Sequence, residues 1–233
     1  MQYRALATDF DGTLAHDGAV DASTLAALDR VRASGRRLIL VTGRELPDLQ
    51  SIFAHLDKFD RVVAENGAQL FDPATQATRL LAEAPPVPFV DQLLRRGVAP
   101  LSVGRAIIAT WEPHEKVVLE TIHDLGLEMQ VIFNKGSVMV LPSGVNKATG
   151  LKAALAELKI APENVVAVGD AENDHALLEL CGCGAAVANA LPMLRARADI
   201  DLQADHGAGV VELINMLLTD DLAGSRGHRP PKV

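Results

Sequence analysis

Five short apolar runs, each closed by glycine or polar residues, constrain this chain more than any other feature. They are RALATDFDG from Arg4, RRLILVTGR from Arg36, RVVAENGA from Arg61, NVVAVGDAEND from Asn164 and CGAAVANA from Cys183. A strand buried on both faces reads as a continuous apolar run, and such strands belong to parallel sheets covered by helices. Helical patterns stand between most of these runs. Asp21 to Ser34 carries Leu25, Leu28 and Val31 at helical spacing, and Gly35 supplies a left-handed stop. After Val145, the residues Leu151, Ala154, Leu155 and Leu158 follow the i, i+3, i+4, i+7 pattern. Strand, helix and strand in repetition predict an α/β fold, a doubly wound parallel sheet of Rossmann-like type with right-handed crossovers.

The middle of the chain breaks that rhythm. AENGAQLFDPATQATRLL predicts a hairpin turning at Asp72-Pro73, and the proline-rich EAPPVPF follows it. From Pro88 to Pro142 the pattern is helix, strand, strand, twice over, which predicts an inserted α+β (αββαββ) unit. The expected division is therefore 1–83 for the first part of the core, 84–143 for the inserted unit and 144–219 for the second part of the core. Residues 220–233, rich in Gly, Pro and Arg, are expected to form a flexible tail or a linker to a further domain.

Composition narrows the partners. Aromatics are only 3% of the 233 residues, so the core must be built from Leu, Val, Ile and Ala. The net charge of −8 disfavours nucleic acid or an anionic membrane as a partner, since both attract basic surfaces. No apolar run approaches the ~20 residues of a membrane span, and Asp9 interrupts the stretch a signal peptide would need, so a cytoplasmic location is expected. Cys181 and Cys183, one residue apart, are expected to be reduced core thiols.

In an open α/β sheet, ligands bind beyond the carboxyl ends of the strands. Those ends supply Asp9, Asp11 and Thr13; Thr42, Gly43 and Arg44; Glu65 and Asn66; and Asp170, Glu172, Asn173 and Asp174. Carboxylates from the first and fourth runs are placed to converge on a hard divalent cation such as Mg²⁺. Arg44 and Asn66 are candidate substrate contacts, with loop closure and turn formation as their alternatives. Lys135 and Ser137 fall at the tip of the last predicted hairpin, facing either the site or solvent. The seven histidines show no metal-ligand spacing; His175, beside the acidic cluster, and His114, in the insertion, are the two nearest to interest. DFDGTLAHDGAV is not a calcium loop, because Leu14 and Val20 replace the required Gly and Glu.

Four motifs in order resemble the haloacid dehalogenase (HAD) superfamily: DFDGTL, VTGR, NKATGL around Lys147, and GDAENDHALL. ENGA after the third run and the αββαββ insertion resemble its Cof-type (subfamily IIB-like) branch, whose insertion is a cap. The resemblance implies a Mg²⁺-dependent phosphomonoester hydrolase working through an aspartyl-phosphate. Asp9 would be the nucleophile, and Asp11 the acid that protonates the leaving alkoxide and then the base for water. Asp9, the main-chain carbonyl of Asp11 and Asp170 would hold Mg²⁺, with Asp174 sharing the metal or standing just behind its ligands. Thr42, Gly43 and Lys147 would bind the phosphoryl group, and Asn173 would orient Lys147 or the phosphate. A carboxylate ~4 Å from a phosphate dianion is repelled by about 8 kcal/mol at an effective dielectric near ~20, so cations must offset that charge. The implied substrate is a small phosphorylated metabolite, phosphoglycolate-like or a sugar phosphate. A phosphomutase of the same fold and a regulatory or interaction domain of a longer protein are the alternatives, and the oligomeric state is not encoded in any motif.

Overall fold

A computed structural model describes residues 1–225. The chain begins with β1 (Ala5–Thr8), α1 (Ala22–Ala33), β2 (Arg37–Val41), α2 (Leu46–Ile52), β3 (Arg61–Ala64), β4 (Gln69–Asp72) and β5 (Ala77–Leu80). It continues through α3 (Val87–Arg95), β6 (Ser102–Val103), β7 (Ile108–Trp111), α4 (Glu115–Asp124), β8 (Met129–Asn134) and β9 (Ser137–Pro142). The last stretch is α5 (Lys147–Leu158), β10 (Val165–Gly169), α6 (His175–Leu180), β11 (Cys183–Ala186), α7 (Pro192–Arg195), β12 (Ile200–Asp201) and α8 (His206–Asp220).

Eight strands form the main sheet in the order β12-β11-β10-β1-β2-β3-β4-β5. The six from β12 to β3 are parallel, and the hairpin β4–β5 adds two antiparallel strands at one edge. The central strands are apolar throughout because both faces are covered, α1 packing with α8 and α5 with α6. Cys181 and Cys183 are buried thiols beside this core. Two of the helices, α1 and α5, start at a polar residue whose side chain takes up a first free N–H group. Asp21 accepts from Thr24 N at 2.7 Å, and that bond holds its carboxyl below the usual carboxylate range. We expect Asp21→Ala to cost about 1 kcal/mol in urea unfolding. The aspartate contributes above its unfolded pKa and loses that contribution as pH falls through the lowered native value, so the difference between the two proteins should shrink in acid.

Residues between β5 and α5 make a second, four-stranded antiparallel sheet in the order β6-β7-β9-β8, covered by α3 and α4. Its own core joins Phe89 and Leu93 to Val118, Ile108, Val138 and Val140. This is the αββαββ unit the pattern predicts. A third cluster, containing Ala68, Ile107, Met139 and Leu141, packs the unit against the main domain. Where the flexible tail was expected to begin, Asp221 and Leu222 are instead fastened to the core: Asp221 accepts from the main-chain N of Gln2 and Tyr3 and pairs with Arg36, while Leu222 is buried. The rest of the expected tail, from 226, lies outside the described residues. Among the described residues, no helix is long and apolar enough to cross a membrane.

Candidate active site

The chain leaves β1 toward β2 on one side, and β10 continues to β11 on the other, so the strand order reverses between β1 and β10. Loops diverge at such a point and leave a crevice at the carboxyl edge. Thr8 stands beside Val168 in the parallel register, so Asp9 and, two residues further along its strand, Asp170 emerge into the same crevice. Asp174 returns to it from the short helical turn Glu172–Asp174. Asp9, Asp170 and Asp174 are buried and offer carboxylate oxygens within 4.8 Å of one another.

Lys147, the first residue of α5, reaches the same point. Its Nζ donates to Asp9 Oδ1 at 2.6 Å and to Asp174 Oδ1 at 2.7 Å, and only 1% of the residue is exposed. Asn146 caps this helix and accepts from Thr149 N, which fixes where α5 starts and hence where Lys147 stands. The other Asp174 oxygen accepts from the main-chain N of Asp170 and Ala171 at 3.0 and 3.1 Å. Thr13 donates to Asp170 Oδ1 at 3.0 Å, and the Lys135 ammonium donates to Asp170 Oδ2. Gly12 is required where it stands. Its φ is +80°, and a β-carbon there would lie 2.2 Å from Asp170 Oδ2.

Three buried carboxylates thus face one fully buried ammonium. Burial pushes the Asp9 carboxyl well above its ordinary range; Lys147 opposes that push, and Asp174 and Asp170 add to it. Burial alone would lower the Lys147 ammonium, but the charges of Asp174 and Asp9 outweigh it and raise the group instead. Asp174 and Asp9 together keep Lys147 charged. Three buried carboxylates exceed the charge of one buried ammonium, and their oxygens together fit a hard divalent cation, which prefers donors of this kind.

The other expected residues fall at three places. Asp11 and Gly43 line a cavity of about 630 Å³ whose floor includes Asp9. Arg44 holds Asp11 with two bonds, Nε to Oδ2 at 2.7 Å and Nη2 to Oδ1 at 2.8 Å, and also pairs with Asp48. Those carboxylates raise the Arg44 guanidinium, the Asp11 hydrogen bond most of all. Sequence reasoning placed Asp11 beside Asp9 as a ready acid; here both its oxygens are engaged by Arg44, and the acid role requires that pair to open. Thr42 is buried at the end of β2, its hydroxyl oxygen accepting from Arg44 N at 3.1 Å. Asn173 Nδ2 donates to Asn66 Oδ1 at 3.1 Å, so these two side chains orient each other rather than Lys147. Asn66 Nδ2 and Asn173 Oδ1 are buried without partners. His175 starts α6 with both ring nitrogens buried and unpartnered, and His114 bonds the Ala99 carbonyl inside the inserted unit.

Several residues with work at the site carried little or no sequence signal. Glu65, noted only as a strand end, is 1% exposed and reaches into the inserted unit, where it accepts from the main-chain N of Arg105, Ala106 and Ile107 at 2.9, 2.7 and 3.0 Å. Asn189 Nδ2 and His206 Nδ1 donate to the Gly12 carbonyl at 2.7 and 2.9 Å, fixing the loop that follows Asp11. Asn189 lies in the fifth run, CGAAVANA, just past the end of its strand, so the strand-end rule reaches it when applied there. His206 starts α8 and had no such mark.

The chain is similar to known proteins in both sequence and fold. The family model for haloacid dehalogenase-like hydrolases matches residues 6–85 and 106–214. A phosphoglycolate phosphatase of Haloarcula marismortui is 32% identical over 218 residues, covering 90% of this chain and 95% of its own. A solved HAD/COF-like hydrolase from Plasmodium vivax superposes with a TM-score of 0.80 at 20% identity, covering 93% of this chain and 96% of its own. A solved HAD subclass IIB sugar phosphatase superposes at 0.76 with 19% identity, covering 92% and 98%. The chain belongs to the haloacid dehalogenase-like hydrolases, in their Cof-type phosphatase branch.

Proposed function

We propose that this phosphatase hydrolyses a small phosphate monoester through a phosphorylated Asp9, with Mg²⁺ held by Asp9, Asp170, Asp174 and the Asp11 main-chain carbonyl. The observation that carries the reading is the buried Asp9–Asp170–Asp174 cluster, in which Lys147 bridges Asp9 and Asp174 and Asp9 opens onto a cavity walled in part by the inserted unit. When bound, the cation neutralises the carboxylates and the phosphoryl oxygens so that the two anions can meet.

The protein's own residues do the rest. Lys147 fixes the attacking carboxylate of Asp9 and presents positive charge to the phosphoryl group. The Asp9 oxygen bonds to phosphorus as the ester P–O bond breaks, and the protonated Asp11 carboxyl gives its proton to the departing alkoxide. Asp11, now a carboxylate, takes a proton from water as that water attacks phosphorus, which restores Asp9 and releases phosphate. Thr42, Gly43 and Asn173 are the residues proposed to donate hydrogen bonds to phosphoryl oxygens. The inserted unit acts as a cap that excludes bulk water.

A cavity of about 630 Å³ suits a small metabolite. Phosphoglycolate, named for the Haloarcula marismortui relative, is the first substrate to test, with sugar phosphates second. Phosphate release is measured across such a panel with Mg²⁺ and with excess EDTA. Metal-dependent release from a small ester is the expected result. Release that EDTA leaves untouched would refute the metal-dependent reading, and silence across the panel would refute the substrate class.

A further inference from the structure

We propose that Lys135 is the specificity-determining cation of this site. It selects phosphate esters whose leaving group bears a carboxylate, and Asp170 keeps its ammonium in place until a divalent cation takes that aspartate. The inference rests on the phosphomonoesterase reading above and names its substrate class.

The cavity wall contributed by the cap is half apolar, with Ile107, Ala109, Trp111 and Met139, and half polar, with Ser102, Asn134, Ser137 and Lys135, and Lys135 is its one ionisable side chain among the described residues. On the main-domain side, Asp9, Asp11, Glu45 and Asp48 face the same space. A substrate with an additional carboxylate meets net negative charge there unless a cation is free to receive it. Arg44 belongs to the main-domain side, where Asp48 pairs with it in addition to Asp11, so opening the Asp11 pair still leaves it a carboxylate partner away from the cap wall. Lys147 is not free, since Asp9 and Asp174 hold it in a fully buried position.

Lys135 differs from both. It sits in the left-handed region, with φ of 47°, at the turn between β8 and β9, and that turn carries it over the core. Its main-chain N donates to Glu172 Oε2 at 3.2 Å, which pins the turn over the fourth strand end. Its ammonium lies on Asp170 beside Gly12, inside the phosphoryl pocket, while 43% of the side chain remains exposed. The turn is therefore fixed, and Asp170 is the ionic partner that holds the half-exposed side chain. Asp170 is also one of the three carboxylates suited to a divalent cation. A divalent cation and an ammonium repel each other at such separation, so metal binding releases Lys135 into the cavity. It is then the one uncommitted cation on the wall that faces the leaving group.

The test compares wild type, Lys135→Met and Lys135→Arg on phosphoglycolate and on ethyl phosphate, which replaces the carboxylate with a methyl group. With saturating Mg²⁺, the ratio of kcat/KM for the two esters should fall about 30-fold in Lys135→Met, the effect of one lost charge-assisted hydrogen bond. The fall should be mostly in KM, and Lys135→Arg should restore most of the ratio. Separately, Mn²⁺ titrated without substrate should bind Lys135→Met several-fold more tightly, because a tethered competitor is gone. An unchanged ester ratio, or unchanged Mn²⁺ affinity, overturns the proposal while leaving the phosphatase intact. Wild type inactive on both esters overturns the phosphomonoesterase reading, and this inference with it.

Discussion

Asp9→Asn is expected to lose at least about 10⁴-fold in kcat with its fold intact, because it removes the atom that bonds to phosphorus rather than a group that assists it. An amide nitrogen or oxygen of neutral Asn is a far weaker nucleophile than a carboxylate, and the variant cannot form the acyl phosphate. The fold should survive for a reason visible in the site. Without metal, Asp9 is a buried carboxyl that burial and two neighbouring aspartates disfavour in its charged form. Removing its charge therefore removes a cost, while the side-chain volume is kept.

That argument has a pH signature. With the metal chelated, the native state binds the Asp9 proton more tightly than the unfolded chain does. The stabilisation from this group is complete below its ordinary pKa of 3.8 and is lost as pH rises toward the higher native value. Wild-type stability in EDTA should accordingly decline with rising pH above that point relative to Asp9→Asn. Saturating Mg²⁺ should reverse the order, because a cation favours the ionised carboxylate that the variant lacks. Urea unfolding at several pH values, with and without Mg²⁺, reads both effects. Appreciable turnover by the variant would reject Asp9 as the nucleophile, and pH curves that run parallel would reject the electrostatic account of its burial.

Much of this site follows from a simple rule about strand ends. A strand buried on both faces must be apolar, so the first polar residue after it marks the carboxyl edge where sheets of this class bind ligands. Asp9 and Asp170 were legible for that reason, and their convergence needed only the two strands to be neighbours. Lys147 is a different case. It follows the whole inserted unit and begins a helix, so only the motif NKATGL singled it out. The Arg44–Asp11 pair was not legible, because each residue had an independent reason to be where it is. The direction of the Lys135 side chain depends on how the cap sits on the core, which no local pattern encodes. Glu65 was invisible in a further sense. Its partners are three main-chain N–H groups some forty residues away, and every non-proline residue carries such a group.

Glu65→Ala should be the most destabilising single change outside the main core, by about 3 kcal/mol, because it strands three donors at once. Ala106 and Ile107 are buried, so their N–H groups do not gain bulk water when the carboxylate is removed. Glu65→Gln separates hydrogen bonding from packing. Glu65 Oε2 accepts from both Ala106 and Ile107, whereas Oε1 accepts from Arg105 alone. An amide can keep its oxygen on the first pair and lose only the third bond, so about 1 kcal/mol is expected. Trp111, the single tryptophan, lies in the cap strand β7, and its fluorescence therefore follows this part of the molecule during urea unfolding. The loss should appear there and as faster amide exchange at residues 105–107, with the parallel strands protected as in wild type. Because Glu65 follows β3 at the same carboxyl edge as Asp9, its bonds set how far the cap wall stands from the nucleophile. Loosening them should lower kcat/KM even though Glu65 touches no reacting atom. Full stability and full activity in Glu65→Ala would mean that the packing of Ile107 and Met139 against the core holds the cap by itself.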